Sequence, residues 1–275
     1  MIDTVRSRAA ELLKSGEVSV VVGYREGRRR ELAVPHFVRD VADVDALVLD
    51  PFCSGGLAVF ATREAVSQGA AFVATPQDIR SLRVLVQEGQ ITSENVRIIG
   101  FACQAPGNPA GEIRLLEGSR LEDFDNVIEC AADNNIAAEV ARIMAMPPEE
   151  RWRFWRAEFD KCVRCYACRA ACPMCYCAEC IADRNLPQWI ETTARPRGNF
   201  AWNLIRAWHL AGRCTLCGAC ERACSEGIKL TLLNAMLAAE VRDAFDYVAG
   251  FGCADEAGVF ASFKDSDKEE FLIDG

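Results

Sequence analysis

The sequence predicts an α/β N-terminal domain, with a mainly parallel sheet and flanking helices, followed by a mostly α-helical domain built around metal. Three observations carry this. Strand-like and helix-like segments alternate from Thr4 to Met146. Pro147-Pro148 then interrupts the chain. Behind it stand two cysteine runs of identical spacing with a helical stretch between them. The expected domains are residues 1–147, residues 148–250 and a docking tail, residues 251–275.

The elements follow in order. Thr4 to Lys14 sets Val5, Ala9, Leu12 and Leu13 on one face and predicts a helix. Val18 to Tyr24 is a β-branched run that predicts a buried strand. Arg25 to Arg30 reads as a solvated hairpin turn, with a phosphate or partner patch as the alternative. His36 follows Pro35 in an expected loop, and Ala46 to Leu49 is a second short apolar run. Gly55 to Gln68 predicts a helix, Ala71 to Thr75 a strand, Asp78 to Glu88 a helix and Val96 to Phe101 a strand. Gly107 to Gly111 is loop material. Phe124 to Met146 predicts a helix that the two prolines end. Pro148-Glu149-Glu150 opens the next one, with proline early and acids in the first turn. Phe200 to Leu210 and Leu230 to Tyr247 are the last predicted helices. The tail mixes acids with Phe260, Phe263 and Phe271.

With 275 residues the chain holds one large or two modest domains. Its net charge of -9 argues against a general nucleic-acid binder. No apolar run approaches the roughly 18–20 residues needed to span a bilayer. Met1 to Arg6 shows no apolar signal core. The expectation is a cytoplasmic protein without direct membrane insertion. In a reducing compartment, 15 cysteines at ligand spacing read as metal ligands and not as disulfides. There is no G-x-G-x-x-G fingerprint, and Gly55-Gly56 is too weak to stand for a phosphate site. No Ser/His/Asp set or carboxylate pair stands out, so no catalytic residue is expected.

Cys162, Cys165, Cys168 and Cys172 read C-x2-C-x2-C-x3-C before Pro173, and Cys214, Cys217, Cys220 and Cys224 repeat it before Ser225. This is the two-cluster ferredoxin spacing, in which each run gives three ligands to one [4Fe–4S] cluster and its fourth to the other. It assigns Cys162, Cys165, Cys168 and Cys224 to one cluster, and Cys214, Cys217, Cys220 and Cys172 to the second. Soft, anionic thiolates suit iron. Paired zinc sites are the alternative, though these usually show C-x2-C halves. The stretch from Cys172 to Cys214 is too long for a minimal ferredoxin of two hairpins, so the clusters are expected between helices.

Cys175, Cys177 and Cys180 follow at once. With Cys53 and Cys103 from the front domain, they suggest a third centre, a third [4Fe–4S] cluster before zinc. Free buried thiols are the plain alternative. Cys130 and Cys253 look like core packing. His209, shortly before Cys214, would tune a cluster by hydrogen bonding or simply pack its helix. Trp152, Trp155, Trp202 and Trp208 are expected to pack and shield the clusters from water.

Arg213-Cys214-Thr215-Leu216-Cys217-Gly218-Ala219-Cys220-Glu221-Arg222-Ala223-Cys224, with Gly227-Ile228, resembles the α-helical ferredoxins of heterodisulfide-reductase C-type subunits. Together with Val21-Val22-Gly23-Tyr24, Asp50-Pro51-Phe52-Cys53, Asp78-Ile79-Arg80-Ser81, Ile98-Ile99-Gly100 and Cys172-Pro173-Met174-Cys175-Tyr176-Cys177, it resembles the iron–sulfur beta-type subunits of formate dehydrogenases and deazaflavin-reducing hydrogenases. The resemblance spans about residues 15–230. It implies an electron-transfer subunit of a multisubunit anaerobic oxidoreductase complex. Such a subunit would relay low-potential electrons between a catalytic subunit and a heterodisulfide-reductase-like or flavin partner. It also implies FAD beside a [4Fe–4S] cluster. The alternative is then a subunit that itself reduces or oxidises a diffusible (deaza)flavin.

Overall fold

The computed structural model describes residues 1–29, 31–62, 69–125, 134–251 and 258–259. The chain divides into two compact units, residues 1–130 with 250–256 and residues 131–249 with 257–275. No helix among the described residues is long and apolar enough to cross a membrane.

The first unit is built on a five-stranded sheet in the order β2-β1-β3-β4-β5. Its strands are β1 (Val20–Glu26), β2 (Ala33–Val38), β3 (Ala70–Ala74), β4 (Val96–Cys103) and β5 (Ile113–Leu115). β3 is buried along its whole length, and β1 over Val20 to Tyr24, the signature of strands covered on both faces. α1 (Ile2–Lys14) and α2 (Pro76–Gln87) belong to this unit. β1, β3 and β4 are parallel, but β2 and β5 pair antiparallel with β1 and β4. The sheet is therefore mixed, parallel only at its centre. Short returns at both edges leave no room for the crossover that parallel pairing requires. His36 sits on β2 opposite Gly23, not in a loop. Pro35 is tolerated there because β2 is an edge strand.

Two loops that read ambiguously are now defined. Ala46 to Leu49 is no strand: it ends a 3-10 turn, Val41–Ala46, and Val48 N–H then donates to the Tyr24 carbonyl at 2.9 Å. The expected helix over Gly55 to Gln68 is a 3-10 turn at Leu57–Phe60, and residues 63–68 lie outside the described ones. Asp78 ties that turn to α2. Its buried carboxylate accepts from Ala58 N at 3.1 Å and from Thr75 Oγ1 at 2.9 Å, completing a capping box with Thr75. Gly100 on β4 is needed for close packing, since a Cβ there would stand 2.8 Å from the Phe124 ring.

The second unit holds α3 (Asn134–Met144), α4 (Pro148–Asp160), α5 (Ala167–Ala170), α6 (Pro196–Leu210), α7 (Ala219–Arg222) and α8 (Leu230–Phe245). Ile143 of α3 packs with Trp155 and Phe159 of α4 and Leu232 of α8. That apolar contact draws α3 into this unit, so the division falls ahead of α3 and not at Pro147. Of the four tryptophans expected to shield the clusters, Trp155 and Trp202 are buried, but Trp152 is 50% and Trp208 68% exposed and neither shields the interior. His209 is exposed as well, so it does not pack the helix core. Cys130, Cys253, Phe260, Phe263 and Phe271 lie outside the described residues.

Candidate metal centre

The two cysteine runs fold into the same loop twice. In the first, Arg164 and Tyr166 take positive φ angles of 58° and 61°. In the second, Leu216 and Gly218 take 56° and 72°. These are the second and fourth residues after Cys162 and after Cys214. A short helix follows each loop, α5 and α7. Cys172 N–H donates to the Arg169 carbonyl and Cys175 N–H to that of Cys172; in the second loop, Cys224 donates to Glu221 and Gly227 to Cys224. Three of the four left-handed residues carry side chains, at a cost of roughly 1–2 kcal/mol each. Alternating right- and left-handed backbone makes a concave nest of N–H groups, a recurring Fe–S and phosphate cradle. Burial repeats too: Cys168 and Cys220, the third cysteine of each run, are both buried.

One face of α6 supports both loops. Asn199, Asn203 and Arg206 recur at the spacing that lines a single helix face, and all three are buried. Asn199 Nδ2 donates to the Cys162 carbonyl at 2.7 Å, and Arg206 Nη2 to the Cys168 carbonyl at 3.1 Å. The apolar pattern of the helix does not reveal this polar stripe. Its spacing in Gly198-Asn199-Phe200-Ala201-Trp202-Asn203-Leu204-Ile205-Arg206 was the available signal. Arg164 packs above the same helix. Its guanidinium donates to Gly198 O at 3.1 Å, pairs with Asp183 at 3.0 Å and lies 4.8 Å from the Trp202 ring centre.

A cavity with about 330 Å³ of empty space, open solvent included, lies between these elements. Cys162, Cys165, Cys168 and Cys224 line it, three from the first run and the last of the second. Tyr166, Trp202 and Asn203 complete much of its wall. Around the second run, Cys214 and Cys220 feel the charge of Cys217, Cys172 feels that of Cys214, and Arg206 stands beside Cys172 and Cys220. Among the described residues no group of three or more His, Cys, Asp or Glu could hold a single metal ion. A cubane asks for a wider arrangement, with one thiolate on each of four irons. The buried Nε atoms of Arg206 and Arg164 have no hydrogen-bond partner in the protein. Soft sulfur donors lining one cavity, on loops whose left-handed residues turn the backbone, with two unmatched buried guanidinium donors in the elements beside it, fit an anionic iron–sulfur group.

The electrostatics agree. Burial pushes the Cys214 thiol up to about 12 and the Cys220 thiol up to about 11, and raises Cys168. A bare thiolate is disfavoured at these positions, so metal binding must release protons there. Arg206 stays protonated: burial opposes its charge, but the sulfurs of Cys168, Cys175, Cys172 and Cys220 outweigh burial.

The remaining cysteines separate. Cys175 is hydrogen-bonded to Cys172; the Cys172 thiol holds the proton, and the bond lowers Cys175 to about 6, aided by Arg206 and Arg213. Cys175 thus stands at the second cysteine set. Cys180 packs beside the buried core around Cys168 and Trp202, while Cys177 is exposed. Cys53 and Cys103 lie in the other unit, close enough for Cys103 to act electrostatically on Cys53. The Cys53 thiol donates to Val48 O at 3.8 Å and the Asp50 carboxylate at 3.5 Å, and burial pushes it up to about 12. Its local partners describe a satisfied core thiol.

No protein-family model matches the chain. A stretch of 97 residues is 32% identical to the F420-dependent formate dehydrogenase subunit beta of Methanocaldococcus jannaschii, covering 35% of this chain and 25% of that protein. A stretch of 57 residues is 32% identical to the F420-dependent formate dehydrogenase 1 subunit beta of Methanococcus maripaludis, covering 21% of this chain and 14% of the relative. The matches span a quarter or less of these curated relatives' length. Over those stretches the chain shows the similarity to formate dehydrogenase beta-type subunits expected from its motifs.

Proposed function

We propose that the chain is an iron–sulfur electron-transfer subunit of an oxidoreductase complex of the formate dehydrogenase type. It relays low-potential electrons between a catalytic subunit and a heterodisulfide-reductase-like or flavin partner. The observation that carries this reading is the cavity on which Cys162, Cys165 and Cys168 meet Cys224. Cys224 lies 56 positions beyond Cys168 and 62 beyond Cys162 along the chain, and they share one cavity because the two loops pack together. A bound [4Fe–4S] cubane would supply one-electron transfer. The thiolates of the first set would hold one, and Cys214, Cys217, Cys220 and Cys172 the other. The left-handed loops would offer N–H groups to the anion, Trp202 would exclude water, and Arg206 would offset charge.

Iron analysis of anaerobically purified protein tests the reading. About eight irons per chain support two clusters, and about twelve would add a third around Cys177 and Cys180. A colourless, zinc-containing protein would overturn it. The F420 dependence in the names of the two relatives favours a second reading, in which the chain itself acts on a diffusible deazaflavin, with a flavin held in the first unit as the further element of that reading. Chromatography of released FAD or FMN decides between them.

A further inference from the structure

Arg206 is 5% exposed, and its side chain is hydrogen-bonded to Cys220 of the second set and to Cys175. Its Nη2 donates to the Cys168 carbonyl at 3.1 Å, on the first set. The sulfurs it interacts with are those of Cys168 from that set and of Cys172 and Cys220 from the other, with Cys175 beside them. Its Nε has no partner in the protein. A buried guanidinium is costly unless an anion meets it. Thiolate-bound iron–sulfur groups are anions, and each becomes more negative when it accepts an electron. Two such groups side by side repel, and the second electron is harder to add than the first. A fixed cation between them lowers that repulsion and favours both reduced forms. Arg is suited to this: it stays charged when buried and offers donors in several directions.

We propose that Arg206 is the shared counter-cation of the two clusters, a positioning residue that raises the reduction potential of both and lets them hold electrons together. This rests on the two-cluster reading. The experiment therefore starts with wild-type iron content: far fewer than about eight irons per chain would break that reading first.

Arg206→Gln and Arg206→Lys are then titrated by potentiometry with EPR detection. With Arg206→Gln, the reduction equilibrium constant of each cluster falls about tenfold, ~59 mV for a one-electron couple. Arg206→Lys recovers most of that shift. An Arg206→Gln protein with full iron and unchanged potentials overturns the proposal. A shift confined to one cluster overturns the shared role. If both variants lose iron equally, Arg206 serves packing and the proposal fails; loss in Gln with retention in Lys supports it.

Discussion

The two cysteine loops share a backbone and differ in almost everything around it. At the first left-handed position one carries Arg164 and the other Leu216. At the second, one carries Tyr166 and the other Gly218. Only glycine takes that conformation without strain. The other three side chains accept it, so the loop shape is not set by local preference. The surroundings then diverge. The first loop is closed by Arg164, Asp183, Tyr166 and Trp202. The second is tied by Arg222, whose Nη1 donates to the Cys217 carbonyl at 2.9 Å, and by Glu221, which accepts from Thr231 N at 2.9 Å at the start of α8. The cysteine that is exposed in the first run, Cys165, corresponds to half-buried Cys217 in the second. One geometry is thus held in two environments, and environment sets cluster potential.

The largest expected effect breaks the exchange between the loops. Cys224→Ser should remove about four irons, and adding Cys165→Ser should remove no more, because both serve one site. Cys217→Ser combined with Cys165→Ser should remove about eight irons, while limited proteolysis shows the first unit still folded. Independent loops would instead make Cys224→Ser additive with Cys165→Ser and silent with Cys217→Ser.

Asp183→Asn should come next. It leaves the Arg164 guanidinium buried without its carboxylate, which has no counterpart at Leu216. Buried pairs cost more when broken, but Asp183 is 27% exposed, so about 2 kcal/mol is expected from urea unfolding of the iron-loaded chain. Gly218→Ala should cost about 1 kcal/mol for its φ of 72°. The added Cβ would stand 2.8 Å from Arg222 Nη1, so that side chain must shift its bond to the Cys217 carbonyl to make room. Tyr166→Gly should cost more than the strain it relieves, since it loses the edge contact with Trp202 at 4.9 Å. If both glycine changes are neutral, the left-handed positions are not the strained part of the loops.

The smallest effect lies in the other unit. Burial raises the Asp78 carboxyl in spite of its hydrogen bonds from Ala58 and Thr75. The folded state therefore holds that proton more tightly than the unfolded chain. The stabilisation is complete below the ordinary Asp range and is lost as pH rises through the raised folded value. Thermal unfolding of the first unit against pH should show that decline, and Asp78→Asn should flatten it.

The sequence by itself determined the elements with strong local signals. β-branched runs placed β1 and β4, proline and acids placed the start of α4, and cysteine spacing marked the candidate ligands. Such signals survive in one dimension because each depends on neighbours within a few residues. Tertiary structure decided what depends on distant partners. It made β2 and β5 antiparallel edges, and it moved α3 into the second unit through Ile143. It left Trp208 and His209 exposed while turning Asn199, Asn203 and Arg206 inward. A helix pattern shows which residues share a face, but only packing decides which face meets the site. Here the inward face is polar because it supports two strained loops and the charge they gather.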